Sequence, residues 1–233
     1  MSIVNKQKIT RIAMIVCSLA LACMTMVMGV TYALLTEKVT VKNHLNSGNL
    51  NLTLYRTALE YRVLNDDGEF EITTINDTPK PEDKGMNFTE PTDEGIFGIK
   101  EGYEDIVIAP GSYFAATMAL YNEGSIAFDY KINLDLIGDV NELAEQLQVT
   151  ITYPDNPERA QQIKMLSELT GTGNSLVIDE GHMTPGQDKM AFTVRVTFVT
   201  DENNNDAINQ EVEFDLTVSA VQTEKTVTPG ANN

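Results

Sequence analysis

A long uncharged stretch near the start of the chain places the strongest constraint on what this sequence can form. Residues 12–30 contain no charged side chain. Three basic residues precede them: Lys6, Lys8 and Arg11. Thr31 and Ala33 then supply the small residues that signal peptidase accepts three and one positions before the bond it cuts. This order is typical of an export signal. We therefore expect residues 1–33 to be a signal peptide cut between Ala33 and Leu34, and the protein to be secreted.

Two alternatives for this stretch stay open. Its nineteen residues are close to the about 20 that span a bilayer, so it could be retained as a membrane anchor. Cys23 could carry a lipid instead, although Ala20 occupies the position where a lipoprotein signal has leucine. The Thr31-Tyr32-Ala33 site and the lack of charge flanking its outer side favour cleavage over a retained anchor.

The composition limits the chemistry of the exported chain. Its only cysteines, Cys17 and Cys23, lie inside the apolar stretch, so the cleaved chain has no disulfide and no thiol. Loss of the three basic residues in the signal would change the net charge from −18 to −21. Such an acidic surface disfavours nucleic acid and anionic membranes as partners. We expect contact with a membrane only through an uncleaved signal segment.

Short alternating segments separated by turn residues predict a β protein. The expected strands cover residues 49–55, 61–64, 70–75, 113–121, 126–136, 149–153, 176–178, 190–200 and 211–221. Helical spacing predicts short helices over 140–147 and 157–169. The expected class is all-β with short helical insertions, in an antiparallel β-sandwich of jelly-roll type.

This pattern also predicts the domain organisation. After the signal we expect an extended segment over 34–46 and a sandwich domain over 47–222. Within that domain, residues 76–104 are rich in proline, glycine and acidic side chains and predict a surface insertion. Residues 223–233 predict a polar tail.

Three stretches of the sequence resemble the TasA/camelysin family of Gram-positive biofilm-matrix proteins. The first comprises Thr31–Glu37 and Asn46–Leu52, similar to the family's cleavage region and its Gly-x-Leu-x-Leu strand. The second runs from Ile108–Ser112 to Leu120–Ser125, and the third is the terminal strand Phe214–Gln222. They cover about a third of the chain. The sequence departs from the family at Leu35, where phenylalanine is usual, and at Ser112, where an acid is usual.

The resemblance implies a jelly-roll subunit whose signal is cut by a SipW-type signal peptidase. It further implies that the freed N-terminal segment of one copy completes a sheet of the next, which is donor-strand addition. The expected product is an extracellular fibre of a biofilm matrix.

The residues of the N-terminal segment support a donor strand on their own account. Its apolar positions are Leu34, Leu35, Val39, Val41 and Leu45. Lys38 and Lys42 against Glu37 give it a charge of about +1 beside an acidic body, so an open sheet edge could bind it through backbone bonds, apolar burial and charge attraction. The alternative is that the segment folds back into its own sheet, and the sequence leaves both open.

The sequence does not support an enzyme. The cleaved chain has two histidines, His44 and His182, and neither belongs to a His-Glu-x-x-His motif. No Gly-x-Ser-x-Gly motif points to a serine nucleophile. The metallopeptidase label that some members of the family carry is therefore not expected to apply, and a hydrolase is the least favoured reading.

One acidic loop is a weak candidate for calcium. Its oxygen-bearing residues are Asp201, Asn203, Asn205 and Glu211. The glycine and the glutamate that a calcium loop needs at its sixth and twelfth places are Asp206 and Val212. We therefore favour a solvated turn, with weak Ca²⁺ binding as the alternative, and expect no other cofactor.

Together these observations predict a secreted structural subunit that polymerises after signal cleavage. Its expected partners are other copies of itself, a SipW-type peptidase, and matrix polysaccharide or cell wall. The alternative function is a membrane-anchored or surface-associated β-sandwich that acts as an adhesin or binding module.

Overall fold

A computed structural model of the protein describes most of residues 34–233. The described residues are 34–44 (backbone), 49–65, 67–78, 80, 82–89, 95–98, 108–170, 175–186, 189–200, 207 and 210–222. Several predicted features lie outside these ranges: the signal 1–33 with Ala33, the apolar position Leu45, the calcium candidates Asp201, Asn203 and Asn205, and the tail 223–233.

Eleven strands form within the described ranges. They are β1 Leu34–His44, β2 Leu52–Leu64, β3 Phe70–Asn76, β4 Met86–Asn87, β5 Tyr113–Asn122, β6 Phe128–Ile137, β7 Leu147–Thr152, β8 Gln162–Met165, β9 Leu176–Met183, β10 Met190–Phe198 and β11 Glu211–Gln222. A short helix, α1, covers Glu142–Gln146, and a 3-10 helix covers Leu166–Glu168. Asn141 caps α1, since its side-chain oxygen accepts from the Ala144 amide at 2.9 Å.

The strands form two sheets. A four-stranded sheet has the order β1-β11-β6-β9, and a seven-stranded sheet has the order β3-β2-β5-β10-β7-β8, with β4 also paired to β2. Among these pairs β1 with β11 is parallel and the others are antiparallel. The prediction of an all-β, mostly antiparallel fold is therefore confirmed.

One hydrophobic core is shared by both sheets. The buried side chains alternate along the strands, as in β11, where every second residue from Val212 to Ala220 is buried. The four-stranded sheet contributes Phe128, Leu134, Phe214 and Leu216, and the seven-stranded sheet contributes Leu54, Met118, Leu120 and Phe192. This arrangement positions the edge strands of each sheet at the rim of the core.

Strand β2 joins two segments that the sequence predicts as separate strands. Its register with β5 shifts between Arg56 and Ala58, so Thr57 is an extra residue in the ladder. Gly85 approaches this bulge so closely that a Cβ there would lie 2.1 Å from the Arg56 carbonyl oxygen. The predicted hairpin that follows is confirmed, and Gly68 adopts a φ of 76° in its turn.

The predicted helix over 157–169 is wrong. This segment instead forms β8, which pairs with β7, and the 3-10 helix. The apolar spacing that favoured a helix has a different cause, because Leu166 and Leu169 are buried by the 3-10 turn whereas Ile163 is 48% exposed on the edge strand. Tertiary pairing with β7 decides the outcome over local spacing.

The segment 76–104 differs from the expected surface insertion. Phe88, Ile96 and Phe97 belong to the core, and β4 pairs with β2. Arg56, 3% exposed, holds the segment from beneath: its Nε lies 2.7 Å from Asp77 Oδ2, and its guanidinium donates to the carbonyls of Ile96 and Gly98 at 2.9 Å. The sequence pattern did not predict these few buried apolar residues, because acidic, proline and glycine residues dominate the composition of the segment.

Candidate functional site

The predicted donor segment forms an edge strand in its own chain. Strand β1 pairs with β11 over its full length, from Leu34 opposite Glu211 to His44 opposite Val221. On its other side no strand of the described residues pairs with it. This pairing corresponds to the alternative in which the segment folds back into its own sheet, and it also defines the register that a donated strand would take.

Paired positions in neighbouring strands share one face of a sheet. The buried residues of β11 therefore mark the positions of β1 that border the core. These pairs are Leu35 with Val212, Glu37 with Phe214, Val39 with Leu216, Val41 with Val218 and Asn43 with Ala220. Three predicted donor positions, Leu35, Val39 and Val41, thus fall in the core-bordering set, whereas Leu34 pairs with exposed Glu211. The same set includes one acidic and one amide residue.

The opposite face of this sheet carries a row of charges. Asp215 of β11 is directly opposite Asp135 of β6, an arrangement in which like charges repel. In β1 the position next to Asp215 is Lys38. The register therefore places Lys38 next to Asp215, with Asp135 one strand further along the same row. Sequence reasoning identified the basic character of β1, but the aspartate pair depends on strand order and could not be read from the chain.

The other edge of the four-stranded sheet, β9, is held to the second sheet. The Ile178 carbonyl accepts from Tyr153 Oη at 2.5 Å and from Gln162 Nε2 at 3.1 Å. The next residue, Asp179, binds Arg159 and the Tyr130 hydroxyl, each at 2.7 Å. Burial, and then the hydrogen bond to the Asp179 carboxylate, raise the pKa of Tyr130. This polar cluster fixes β9 at its edge of the sheet.

The two histidines lie in one row across the four-stranded sheet. His44 is paired with Val221, Val221 with Asp129, and Asp129 with His182. Three interstrand spacings separate the histidines, which is about 14 Å and too far for one metal ion. His182 Nδ1 lies 2.9 Å from Asp129 Oδ1 at the exposed end of β9.

The calcium candidate is mostly outside the described residues. Of its four residues only Glu211 is described, at the start of β11, where its carbonyl accepts from Asn141 Nδ2 at 2.8 Å. Within the described ranges no cluster of three or more histidine, cysteine or acidic residues has a geometry suited to a metal ion.

In the part of the chain that the structure describes, none of the helices has the length and apolar character that a bilayer crossing requires.

Comparison with models of protein families, with curated proteins and with solved structures finds no match to this chain.

Proposed function

We propose that this chain is a secreted structural subunit of extracellular biofilm-matrix fibres, and that it polymerises by donor-strand exchange after its signal is removed. The sandwich is then of jelly-roll type, with β1 as the exchanged strand. The observation that carries the proposal is the parallel pairing of β1 along the β11 edge, because this is the segment that cleavage at Leu34 would free.

Donor-strand exchange replaces each contact that it breaks with the same contact in a second copy. A β1 strand donated to a second copy in the same register would restore the pairing with β11, including Val39 beside Leu216 and Val41 beside Val218. The two states therefore differ mainly in effective concentration, which is in the millimolar range for a short flexible tether. Local crowding at a cell surface, or any added contact between copies, favours the exchanged state.

The register also makes β1 a weakly held strand. Glu37 and Asn43 occupy positions beside buried Phe214 and Ala220, where apolar residues would bind more strongly. Parallel pairing is slightly less stable per residue than antiparallel pairing. A strand that must leave its own sheet before it enters another benefits from both features, since they lower the barrier to release.

Signal cleavage would determine when β1 becomes free to exchange. A SipW-type signal peptidase would cut after Ala33, and Leu34 is both the first residue of the freed chain and the first residue of β1. Before the cut the strand is tethered at the membrane, so polymerisation begins only outside the cell. Matrix polysaccharide or cell wall is the proposed environment of the fibre.

Single-cysteine variants test the exchange directly. In the chain that begins at Leu34, which lacks Cys17 and Cys23, Thr40→Cys and Thr217→Cys are prepared as separate proteins, because these two positions are paired in the β1–β11 register. The proteins are mixed under conditions that give filaments and then oxidised. Donor-strand exchange predicts a cross-linked heterodimer on a non-reducing gel.

The matched control mixes Thr40→Cys with Thr193→Cys. Thr193 lies in β10 of the other sheet, where it pairs with Thr117 and Thr152. The proposal requires that this mixture cross-link far less. A third protein carries both Thr40→Cys and Thr217→Cys in one chain. If this double variant forms an internal disulfide while the Thr40/Thr217 mixture gives no more heterodimer than the control, β1 stays in its own sheet. Donor-strand exchange is then excluded.

N-terminal sequencing of the exported protein separates the proposal from the adhesin alternative. A chain that starts at Leu34 supports release and exchange. A chain that retains residues 1–33 cannot free β1 and instead supports a membrane-anchored binding module.

A further inference from the structure

Among the described strands, β3 lies at the edge of its sheet and carries exposed apolar residues. It begins the order of the seven-stranded sheet, and among the described residues β2 is its one pairing partner. Ile72 is 58% exposed and Phe70 is 38% exposed. Exposed apolar side chains on an open edge are a template for pairing with another chain.

The other edges of the sandwich carry features that discourage such pairing. Strand β8 has four residues and includes Lys164, β9 is clamped by side chains at its Ile178 carbonyl, and β1 contains two lysines. Strand β3 has seven residues without lysine, proline or a register shift against β2. Short edge strands, lysines and bulges protect natural sheets, so β3 is the unprotected edge among the described strands.

The side chains beside this edge have the composition of a protein interface. Ile72 is paired with Arg62, whose guanidinium stacks 3.9 Å from the centre of the Phe70 ring and donates to the Gly111 carbonyl at 2.7 Å. On the same face the Tyr113 hydroxyl donates to Glu60 at 2.8 Å. Aromatic, arginine and isoleucine side chains held in place at low entropic cost are typical of interface centres.

We propose that β3 pairs antiparallel with β3 of a second copy, centred on Thr73. This register aligns all seven residues, with Phe70 opposite Asn76, Glu71 opposite Ile75, and Ile72 opposite Thr74. The single charged residue of the strand, Glu71, is then never opposite its own copy, so the repulsion that like-charged pairs cause is avoided. The two seven-stranded sheets join into one continuous sheet.

A second copy is the occupant that the sequence of the strand favours. Each Ile72 lies opposite a threonine and diagonal to the other Ile72, so the exposed apolar surface of both copies is covered by one symmetric contact. Such a two-fold contact is self-limiting, in contrast to the head-to-tail exchange of β1. The two edges lie in different sheets, so β3 pairing would cross-link neighbouring filaments laterally.

A cysteine at the symmetry centre tests the register. In the background without Cys17 and Cys23, Thr73→Cys places two thiols opposite each other across the proposed contact. We expect oxidation to give a covalent dimer at least about tenfold faster than for Ser125→Cys, an exposed position on the β5–β6 turn. Equal rates for the two variants would overturn the proposal.

An independent test measures association without a cross-link. Sedimentation of the exported chain is compared for Ile72→Lys and Ile163→Lys, which place a lysine on the two opposite edges of the same sheet at similarly exposed positions. We expect the dimer dissociation constant to rise about tenfold or more for Ile72→Lys and to stay unchanged for Ile163→Lys. A dimer that is unaffected by Ile72→Lys, or no dimer in the unmodified chain, excludes β3 pairing.

These outcomes are separate from those of donor-strand exchange. If Thr73→Cys forms no rapid disulfide dimer while the Thr40/Thr217 mixture does cross-link, the lateral β3 contact is excluded and the fibre proposal stands. A Thr73 dimer without the Thr40/Thr217 cross-link retains β3 pairing and removes exchange.

Discussion

Glu37 of β1 is paired with Phe214 of β11, whose side chain is fully buried. In a strand that had only to complete its own sheet, this position would favour an apolar residue. From this register position we expect a carboxylate to cost free energy when β1 occupies the edge. Glu37 at this position should therefore make it easier for β1 to dissociate from β11.

Replacing Glu37 with valine should tighten β1 in its own sheet. We expect Glu37→Val to raise the free energy of unfolding by about 1–2 kcal/mol, since an apolar side chain replaces a carboxylate beside the core. Filament growth should slow, because release of β1 precedes exchange. Denaturant unfolding and light scattering measure the two effects.

The matched control for this change is Thr36→Val. Thr36 is paired with Glu213 on the opposite face, so the same β-branched residue enters without bordering the core. Its effect on growth rate should be small. Equal acceleration or slowing by both variants would contradict a role for the Glu37 position in strand release.

The register of β1 also predicts a charge-reversal effect. Lys38 is the basic member of a row that contains Asp215 and Asp135. Lys38→Glu would place three acidic residues side by side and should weaken β1 pairing by about 0.5–1 kcal/mol. Faster amide hydrogen exchange over residues 34–44 measures the loss.

The double variant Lys38→Glu/Asp215→Lys reverses the pair and keeps opposite charges adjacent. It should restore most of the amide protection. If the double variant exchanges as fast as Lys38→Glu alone, the pairing of Lys38 with Asp215 does not contribute to holding the strand.

Alternation along the sequence was sufficient to predict the all-β class and most strand positions. It predicts β5, β6, β10 and β11 to within two residues at each end. Burial alternates with period two along most of β6, β10 and β11, whereas β5 is buried on both faces over most of its length. The helix predicted over 157–169 failed because Ile163, Leu166 and Leu169 satisfy a helical spacing, while pairing with β7 fixes an extended backbone.

Strand order is the part of the site that the sequence could not supply. Apolar and basic residues identified 34–45 as a candidate strand, but its partner and direction depend on contacts between residues 177 positions apart, such as Val39 and Leu216. The row formed by Asp135 and Asp215 likewise exists only after β6 and β11 pair. Local patterns carry no information on either.

Arg56 provides a test of how the segment 76–104 is attached. Its guanidinium is buried and binds Asp77 together with the carbonyls of Ile96 and Gly98. Arg56→Met removes these bonds and leaves the Asp77 carboxylate without its cation, which should cost about 3–5 kcal/mol. Limited proteolysis should then cut within 76–104 before it cuts the rest of the domain.

Asp77→Asn is the milder companion of this variant. The amide oxygen still accepts from Arg56, so the loss should be about 1–2 kcal/mol and the proteolysis pattern close to that of the unmodified chain. Cleavage that is unchanged in Arg56→Met would show that the buried apolar side chains and the pairing of β4 with β2 hold the segment without Arg56.

Tyr130 predicts how stability depends on alkaline pH. Burial and the hydrogen bond to Asp179 raise the pKa of its hydroxyl in the folded chain, whereas the unfolded chain ionises near the usual value of about 10. Below that pH both states are protonated and the hydroxyl contributes its full stabilisation. As pH rises above about 10 the unfolded state loses its proton first, so the folded state loses stability by up to about 1.4 kcal/mol per pH unit.

Tyr130→Phe should be less stable than the unmodified chain by about 1–2 kcal/mol at neutral pH, and this difference should shrink as pH rises past about 10. Urea unfolding of both proteins between neutral pH and about pH 11 measures it; a difference that stays constant over that range would show that Tyr130 ionises alike in the folded and unfolded chains.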